Sequence, residues 1–334
     1  FDREGHPTQV TGVFPQGKQT VYEIELADGR TVQCNKDHLW SVYENGQTDN
    51  TVTLTTGEML HRGVKNDDGN FRYRLPQNGQ VKYPETDHVF SPYIVGAVLG
   101  TEGSTHPEKV FLSTADIRNA ERTAAFLGAK NFTYNTDEGN QHSRSGNDWL
   151  SQVREEKSPS PVSAQSTSAT AVLTRDDEHA KNDTRIPAEY KIVSVRQRWE
   201  LVQGLMDTAG GVVVHADGSG EDYCARFVTV SEHLRDDFME VVRSLGYSCT
   251  WSSGETVTNR YGQQETQYVV NVQVDREYVP FFFSLPWKTE IVHGTDVLGS
   301  TRENCSTVAV VTIKELPYEE EQVCFTVANE EKLF

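Results

Sequence analysis

Two glycine-containing stretches decide the fold of this sequence: IVGAVLGTEG at Ile94–Gly103 and VQGLMDTAG at Val202–Gly210. Each places a glycine, Gly96 or Gly204, inside an apolar run that is otherwise typical of a helix. A glycine inside a helix costs about 1 kcal/mol relative to alanine, and close approach of another backbone is the usual compensation. Either helix alone would be typical of a tightly packed core helix. Because there are two, we expect them to pack face to face at a pseudo-twofold axis.

Both stretches are preceded by signals that begin a helix. Ser91-Pro92 combines an N-cap residue with a proline in the first helical turn. Ser194 is followed three residues later by Gln197, which is the pattern of a capping box. We therefore predict helices that begin at these positions and end near Gly103 and near Gly210.

The order helix, strands, helix occurs twice, which predicts a pseudo-repeat of roughly 110 residues. Amphipathic helices at Ser113–Gly128 and Ser231–Gly246 are predicted to close the two copies. Between the copies, Glu155–Thr170 (EEKSPSPVSAQSTSAT) is polar and rich in Ser and Pro, which is typical of a flexible linker. In the second copy, Tyr268–Asp275 alternates apolar residues with amides, so the predicted strand has one apolar and one hydrogen-bonding face.

β structure is predicted on both sides of this repeat. In Thr20–Cys34 apolar and acidic residues alternate with period two, and Asp28-Gly29 is a hairpin turn signal. Further strands are predicted at Thr51–Leu54, Phe71–Leu75, Thr307–Ile313 and Gln322–Val327. The predicted fold class is mixed: an all-β domain formed by residues 1–88 and 303–334, with an α+β domain of two pseudo-symmetric halves, residues 89–302, inserted within it.

The composition of the 334 residues limits the function classes. There are 31 Lys and Arg against 49 Asp and Glu, and the net charge of −18 argues against a generally basic DNA-binding protein without excluding a local basic surface. The five cysteines are widely spaced and include no C-x-x-C pair, so neither a disulfide framework nor a structural zinc site is encoded. No apolar run approaches the roughly 20 residues that cross a bilayer. We expect a cytoplasmic protein with free thiols and no membrane attachment.

The two glycine-containing stretches resemble the paired LAGLIDADG motifs of homing endonucleases. The segment Arg185–Gly210 (RIPAEYKIVSVRQRWELVQGLMDTAG) is particularly similar to the second motif region of phage-borne inteins. Phe1–Trp40 resembles the Hint protein-splicing fold up to its block-B histidine, here His38, and Val308–Phe334 resembles the block before the C-terminal splice junction. The resemblance implies a phage-type intein, which is an autocatalytic splicing domain with an embedded homing endonuclease.

The resemblance also implies a set of splicing residues. His38 would polarise the peptide bond at the upstream junction, since an imidazole can give or take a proton near neutral pH; Asn35 stands where the family often has threonine. Trp40 and Cys324 match a minority class with a Trp–Cys–Thr pattern, in which the internal cysteine attacks the upstream junction and forms a branched thioester. This chemistry needs an accessible thiolate at Cys324. From the residues alone, a partly exposed strand-end histidine and a small buried cysteine are the alternatives.

In the endonuclease family each motif helix ends in an acidic residue, and the two carboxylates bind divalent metal for hydrolysis of both DNA strands. Oxygen ligands of this kind suit Mg²⁺. In the first motif Glu102 or Thr101 occupies the acidic position, and Glu102 is the metal ligand and catalytic residue that we assign. In the second motif the matching residue is Ala209, whose methyl group cannot bind a metal, and Asp207 points to a different side of the helix. We therefore expect retained DNA binding with impaired cleavage.

The implied partners are a double-stranded DNA homing site and the host protein that flanks an intein, with phage terminases and helicases as candidates. DNA contacts are expected from polar strand faces such as Asn271 and Gln273, a pattern that is equally typical of a solvated surface. Phe1 and Phe334 are not splice-junction residue types, so we expect splicing to need sequence beyond both, and we expect a monomer. A freestanding DNA-binding or nicking endonuclease without splicing and a non-enzymatic interaction protein remain as alternatives.

Overall fold

The computed structural model forms two compact units. The first comprises Phe1–Lys82, Arg243–Thr250 and Arg302–Phe334, and the second comprises Tyr83–Val242 and Trp251–Thr301. The structure describes residues 1–47, 49–88, 91–102, 109–114, 131–135, 141–145, 169–174, 184–216, 221–258, 264–285, 288 and 307–328, with the backbone alone for residues 101–102, 109–114, 131–135, 141–145, 169–174, 215–216 and 221–222. The predicted mixed architecture is confirmed, since the first unit is mainly antiparallel β and the second combines helices with two sheets.

The first unit is built on a six-stranded antiparallel sheet with the strand order β2-β1-β14-β5-β3-β4. Its strands are β1 (Val10–Leu26), β2 (Thr31–Cys34), β3 (Leu39–Glu44), β4 (Val52–Thr55), β5 (Tyr73–Pro76) and β14 (Thr307–Val327). The predicted hairpin is confirmed, because β1 and β2 pair on either side of the Asp28-Gly29 turn. The strand predicted at Phe71–Leu75 begins two residues later than expected, at Tyr73.

The tail forms one long strand instead of the two short strands predicted at Thr307–Ile313 and Gln322–Val327. β14 continues through the intervening residues because β1 pairs with it from Val10 opposite Val327 to Leu26 opposite Val310. Four register shifts interrupt this ladder, and bulges of this kind bend a strand and increase its twist. Pairing with β1 therefore outweighs the local Pro-containing, acidic sequence that predicted a break.

The core of the first unit lies between the sheet and a short helix. The helix, α1 (Thr56–Arg62), is started by a capping box in which Thr55 and Glu58 exchange hydrogen bonds. It contributes Met59 to the core. The side chains of this core with no exposed surface are Ile24, Val42, Met59, Tyr73 and Val310.

The second unit contains four described α-helices and one 3-10 helix. They are α2 (Pro92–Glu102), α3 (Ala188–Lys191), α4 (Val195–Ala209), α5 (Glu232–Ser244) and the 3-10 helix Arg276–Phe282. The predicted capping box at the start of α4 is confirmed, with Ser194 and Gln197 as its two partners. α5 begins where predicted, after Ser231, whose hydroxyl accepts a bond from the Leu234 N–H. None of the described helices is long and apolar enough to cross a membrane.

The strands of the second unit form two four-stranded sheets, with the orders β6-β9-β7-β8 and β10-β11-β13-β12. Their bounds are β6 Lys109–Thr114, β7 Asn131–Asn135, β8 Gln141–Ser145, β9 Ala169–Thr174, β10 Gly210–Ala216, β11 Glu221–Thr229, β12 Cys249–Thr258 and β13 Gln264–Gln273. The strand predicted at Tyr268–Asp275 is found as β13, which starts earlier and ends two residues sooner. Its apolar face is confirmed, because Val270 and Val272 are fully buried.

Two expectations for the first copy of the repeat fall partly outside the described residues. The helix predicted at Ser113–Gly128 cannot begin at Ser113, because this residue belongs to strand β6. Residues 115–130 lie outside the description, as do residues 155–168 of the region predicted as a linker. The C-terminal bound predicted for the linker is wrong, because Ala169 and Thr170 are the first residues of β9 and pair with β6.

Candidate functional site

Helices α2 and α4 pack with their backbones in direct contact. A Cβ added at Gly96 would lie 2.1 Å from the Leu201 carbonyl oxygen, and one added at Gly204 would lie 2.0 Å from the Tyr93 carbonyl oxygen. No side chain fits at either position, because real Cβ atoms do not approach other atoms this closely. The expectation that close backbone approach compensates for these two glycines is confirmed.

Asp207 is a buried carboxylate in the last turns of α4. It is 3% exposed, and it accepts hydrogen bonds from the Tyr93 hydroxyl at 2.8 Å, the Ser284 N–H at 3.2 Å and the Leu285 N–H at 3.3 Å. Burial raises the pKa of Asp207, while these donors favour its charged form. The carboxylate therefore ties α4 to α2 and to the segment after the 3-10 helix, which supports the expectation that it does not point where a metal ligand would.

A lysine that was not identified from the sequence, Lys288, binds the end of α4. The Lys288 ammonium donates to the Met206 carbonyl at 2.8 Å and to the Gly210 carbonyl at 2.7 Å, on either side of Ala209. A cation here is favoured by the negative end of the helix dipole. Burial lowers the pKa of Lys288 to about 8. No local pattern links a lysine 79 positions away to this helix, so only the folded chain reveals the contact.

The residues at the end of α4 do not fit Mg²⁺. The Ala209 side chain has no oxygen, the nearby Asp207 carboxylate accepts bonds from protein donors, and the Lys288 ammonium binds the Met206 and Gly210 carbonyls. No group of three or more His, Cys, Asp or Glu suited to a metal occurs among the residues that the structure describes. The side chain of Glu102, at the end of α2, lies outside the description. No catalytic step through a metal is therefore derived.

A polar face of the sheet β10-β11-β13-β12 brings Arg226 beside Asn271. The two residues lie directly opposite each other on β11 and β13, and Arg226 Nε donates to Asn271 Oδ1 at 3.2 Å. Gln273 is exposed two residues further along β13. Arginine and amide side chains of this kind can pair with base edges in the major groove. Arg226 was not identified from the sequence. It stands between two apolar residues, Ala225 and Phe227, which are buried, and this alternation in the sequence indicates that Arg226 lies on the polar face of the strand.

His38 and Trp40 are brought together at the start of β3. Their ring centroids are 5.0 Å apart in an edge-to-face arrangement with an interplanar angle of 73°. Burial of the imidazole lowers the pKa of His38, although the residue as a whole is exposed, so its neutral form prevails at pH 7. Asn35 shapes the preceding turn, since its side chain accepts a bond from the Asp37 N–H at 3.1 Å.

Thr56 hydrogen-bonds to both residues of this pair and was not identified from the sequence. Its hydroxyl accepts a bond from Trp40 Nε1 at 2.9 Å, and its N–H donates to the His38 carbonyl at 3.0 Å. The Cys34 sulfur lies 3.2 Å from the same hydroxyl. Burial raises the pKa of Cys34, so this thiol stays protonated at neutral pH.

Cys324 lies on the part of β14 that pairs only with β1. It is opposite Phe14, and its thiol is exposed. Its one hydrogen bond among the described residues is a long contact of 3.9 Å to the Phe325 carbonyl. Among these residues no hydrogen bond or ring contact joins Cys324 to His38 or Trp40. The alternative of a buried cysteine is therefore wrong, while the joint action of Cys324 and His38 stays a prediction.

Comparison with known proteins finds similarity to solved structures only. No family model and no curated protein matches the chain. Among solved structures, a crystal structure of I-DmoI in complex with DNA and manganese is similar at 13% identity, with a TM-score of 0.26. The alignment covers 58% of this chain and 98% of that chain. A TM-score of this size does not establish a shared fold.

Proposed function

We propose that the chain is an intein: a self-splicing domain that carries an embedded LAGLIDADG-type homing endonuclease with retained DNA binding and impaired cleavage. The observation that carries the proposal is the reciprocal backbone contact of α2 and α4 at Gly96 and Gly204. It is the packing that the resemblance to paired LAGLIDADG helices implies. The six-stranded sheet of the first unit, with Trp40 on β3 and His38 just before that strand, supports the splicing half of the proposal.

In the splicing half, Cys324 is the nucleophile and His38 the proton carrier. The Cys324 thiol loses its proton, its sulfur attacks the carbonyl carbon of the upstream junction to form a thioester, the C–N bond breaks, and the junction amine leaves with that proton. His38 polarises this peptide bond and can carry that proton. Exposure of the Cys324 thiol supports its role, since a thiolate nucleophile must reach a substrate peptide. Trp40 orients the imidazole by its edge-to-face contact.

In the endonuclease half, DNA binding rests on the polar face that contains Arg226, Asn271 and Gln273. A local cation is needed because the chain as a whole has a net charge of −18 and is repelled by phosphates. Cleavage is impaired because Ala209 cannot bind a divalent metal. Glu102 is the acidic residue proposed for the other helix, and Mg²⁺ is the metal proposed for an active form.

DNA binding is tested on a duplex that spans the uninterrupted host gene, in EDTA and over a range of salt concentrations. We expect affinity to fall as salt rises and Arg226→Gln to weaken binding about tenfold, the effect of losing one base contact. Arg62→Gln is the matched control, because it removes the same charge from an exposed position of the first unit. Salt-independent affinity, or equal losses in both variants, contradicts the DNA-binding proposal.

A second candidate is a freestanding DNA-binding or nicking protein without splicing. The placement of Cys324 favours it, because Cys324 lies opposite Phe14 on β14, whereas Trp40 lies on β3, and β5 separates β14 from β3 in the sheet. Under this function a precursor that carries the native flanks stays intact while the chain still binds DNA. Under the intein function the same precursor reacts, and Cys324→Ala stops it.

A further inference from the structure

A single buried threonine contacts both members of the His38–Trp40 pair. Thr56 has no exposed surface and is the first residue of α1. Its N–H donates to the His38 carbonyl at 3.0 Å, while its hydroxyl accepts the Trp40 indole N–H at 2.9 Å. One residue thus fixes the backbone of the histidine and the ring of the tryptophan at the same time.

The hydroxyl of Thr56 has a complete set of partners in this pocket. It accepts from Trp40 Nε1, and the Cys34 sulfur and the His38 carbonyl lie 3.2 Å and 3.5 Å away as partners for its own hydrogen. An indole N–H can only donate. Removal of the hydroxyl therefore leaves the Trp40 donor without its acceptor in a buried place, where an unpaired donor is unfavourable.

The indole orientation matters because Trp40 meets the imidazole edge-to-face, with centroids 5.0 Å apart. An indole ring that is hydrogen-bonded at its N–H cannot rotate freely, so the part of the ring that contacts His38 stays the same. The first turn of α1 strengthens this hold from the backbone side, since the Gly57 N–H donates to the Lys36 carbonyl at 2.9 Å. Both the backbone and the ring environment of His38 are thus set by the start of α1.

We infer that Thr56 is a positioning residue for His38, acting through the Trp40 ring and the His38 carbonyl. The inference rests on the proposed splicing role of His38 and Trp40. Thr56 is not a catalytic residue, because it is fully buried and its contacts are with the pair itself. Its contribution is to hold the imidazole in one orientation towards the upstream junction, since misplacement of a catalytic group slows a reaction strongly.

The test compares three variants of the full chain by NMR, with labels in the Trp indole N–H groups and in the His rings. Thr56→Val removes the hydroxyl and keeps the β-branched shape, and Thr56→Ser restores the hydroxyl. Thr53→Val is the matched control, because Thr53 is exposed on β4, where it lies opposite Ser41. We expect Thr56→Val alone to shift the Trp40 indole signal, to remove its protection from hydrogen exchange and to average the His38 ring signals over more than one orientation, because the Trp40 ring beside the imidazole is no longer held. We expect Thr56→Ser to return all three towards the wild type.

A second variant keeps the inference testable if Thr56→Val does not fold. Trp40→Phe keeps a ring beside His38 and deletes the donor that Thr56 binds. We expect the His38 ring to lose its single orientation in this variant too, because the Phe ring is not held by Thr56. A His38 ring that keeps its wild-type orientation in Trp40→Phe, or in a folded Thr56→Val chain, overturns the inference.

Activity separates this inference from the proposed function. In a precursor with native flanks, we expect Thr56→Val to slow cleavage at the upstream junction about tenfold or more, with rescue by Thr56→Ser. If the wild-type precursor does not react while the NMR effects occur, the splicing proposal fails and the positioning of His38 by Thr56 stands. If the precursor reacts equally fast with and without the hydroxyl, the positioning role is wrong.

Discussion

Gly204 and Tyr93 are in backbone contact across the two long helices of the second unit: a Cβ at Gly204 would lie 2.0 Å from the Tyr93 carbonyl oxygen. The same added atom would lie 2.6 Å from the Ala97 N–H nitrogen. Because these neighbours are backbone atoms of α2, they cannot move aside by a change of rotamer. The spacing of α2 and α4 is therefore set by the absence of a side chain at Gly204.

Gly204→Ala is expected to destabilise the chain by about 3 kcal/mol, because the inserted methyl forces the helices apart. In an isolated helix the same change would stabilise by about 1 kcal/mol, so the sign distinguishes packing from propensity. Urea unfolding followed by tryptophan fluorescence measures the effect. Gly211→Ala is the control, since nothing lies within 4 Å of an added Cβ there, and it should change stability by less than about 0.5 kcal/mol. A stable Gly204→Ala chain contradicts the backbone contact.

The lowered pKa of Lys288 predicts that the free energy of unfolding rises at alkaline pH. Its folded pKa of about 8 lies below the usual 10.5, so between these values the folded state binds fewer protons than the unfolded state. Stability contributed by this group therefore rises with pH through this window, by at most about 3 kcal/mol. The measurement is the free energy of unfolding at pH 7.5 and pH 10 for the wild type and Lys288→Met. The same rise in both proteins contradicts the assignment.

Ala209→Asp is expected to give the chain Mg²⁺-dependent cleavage of duplex DNA that spans the uninterrupted host gene, with a rate about tenfold or more above the wild type. Ala209→Asn is the control of similar size without charge. No gain in cleavage over Ala209→Asn places the defect elsewhere, with Glu102 the first residue to change.

Thiol reactivity should single out Cys324 among the four described cysteines. Cys34, Cys224 and Cys249 are buried and Cys324 is exposed, and burial raises the pKa of Cys249 to about 11. At pH 8 only about one Cys249 thiol in a thousand is then ionised, and it is shielded as well. Alkylation followed by peptide mass spectrometry should label Cys324 at least about a hundred times faster than Cys249. Comparable rates contradict the described burial.

Local signals predicted the elements that local chemistry controls. The capping box of Ser194 and Gln197, the hairpin at Asp28-Gly29 and the start of α5 were found where the sequence placed them. The glycines at 96 and 204 predicted a long-range contact as well, because a glycine inside a helix needs a nearby partner. This prediction was possible because the sequence contains two such helices, each with a glycine inside it.

Features that depend on distant partners could not be predicted. Nothing near Leu316-Pro317 shows that β14 continues, because the cause is the ladder with β1. Lys288 binds a carbonyl at the end of α4 that is remote in sequence. Thr56 binds the indole of Trp40, and no sequence motif links these two residues. Cys324 was singled out by resemblance, and its exposure on the β1–β14 ribbon is a property of the fold alone.

The most direct test of the central claim is mass spectrometry of a precursor that joins the chain to its native flanking sequence. The intein function predicts a branched thioester at Cys324 and, at later times, a ligated host product. We expect Cys324→Ala to remove both species and His38→Ala to slow formation of the thioester. A branched intermediate in the Cys324→Ala precursor, or an unreacted wild-type precursor that still binds DNA, would rule this function out.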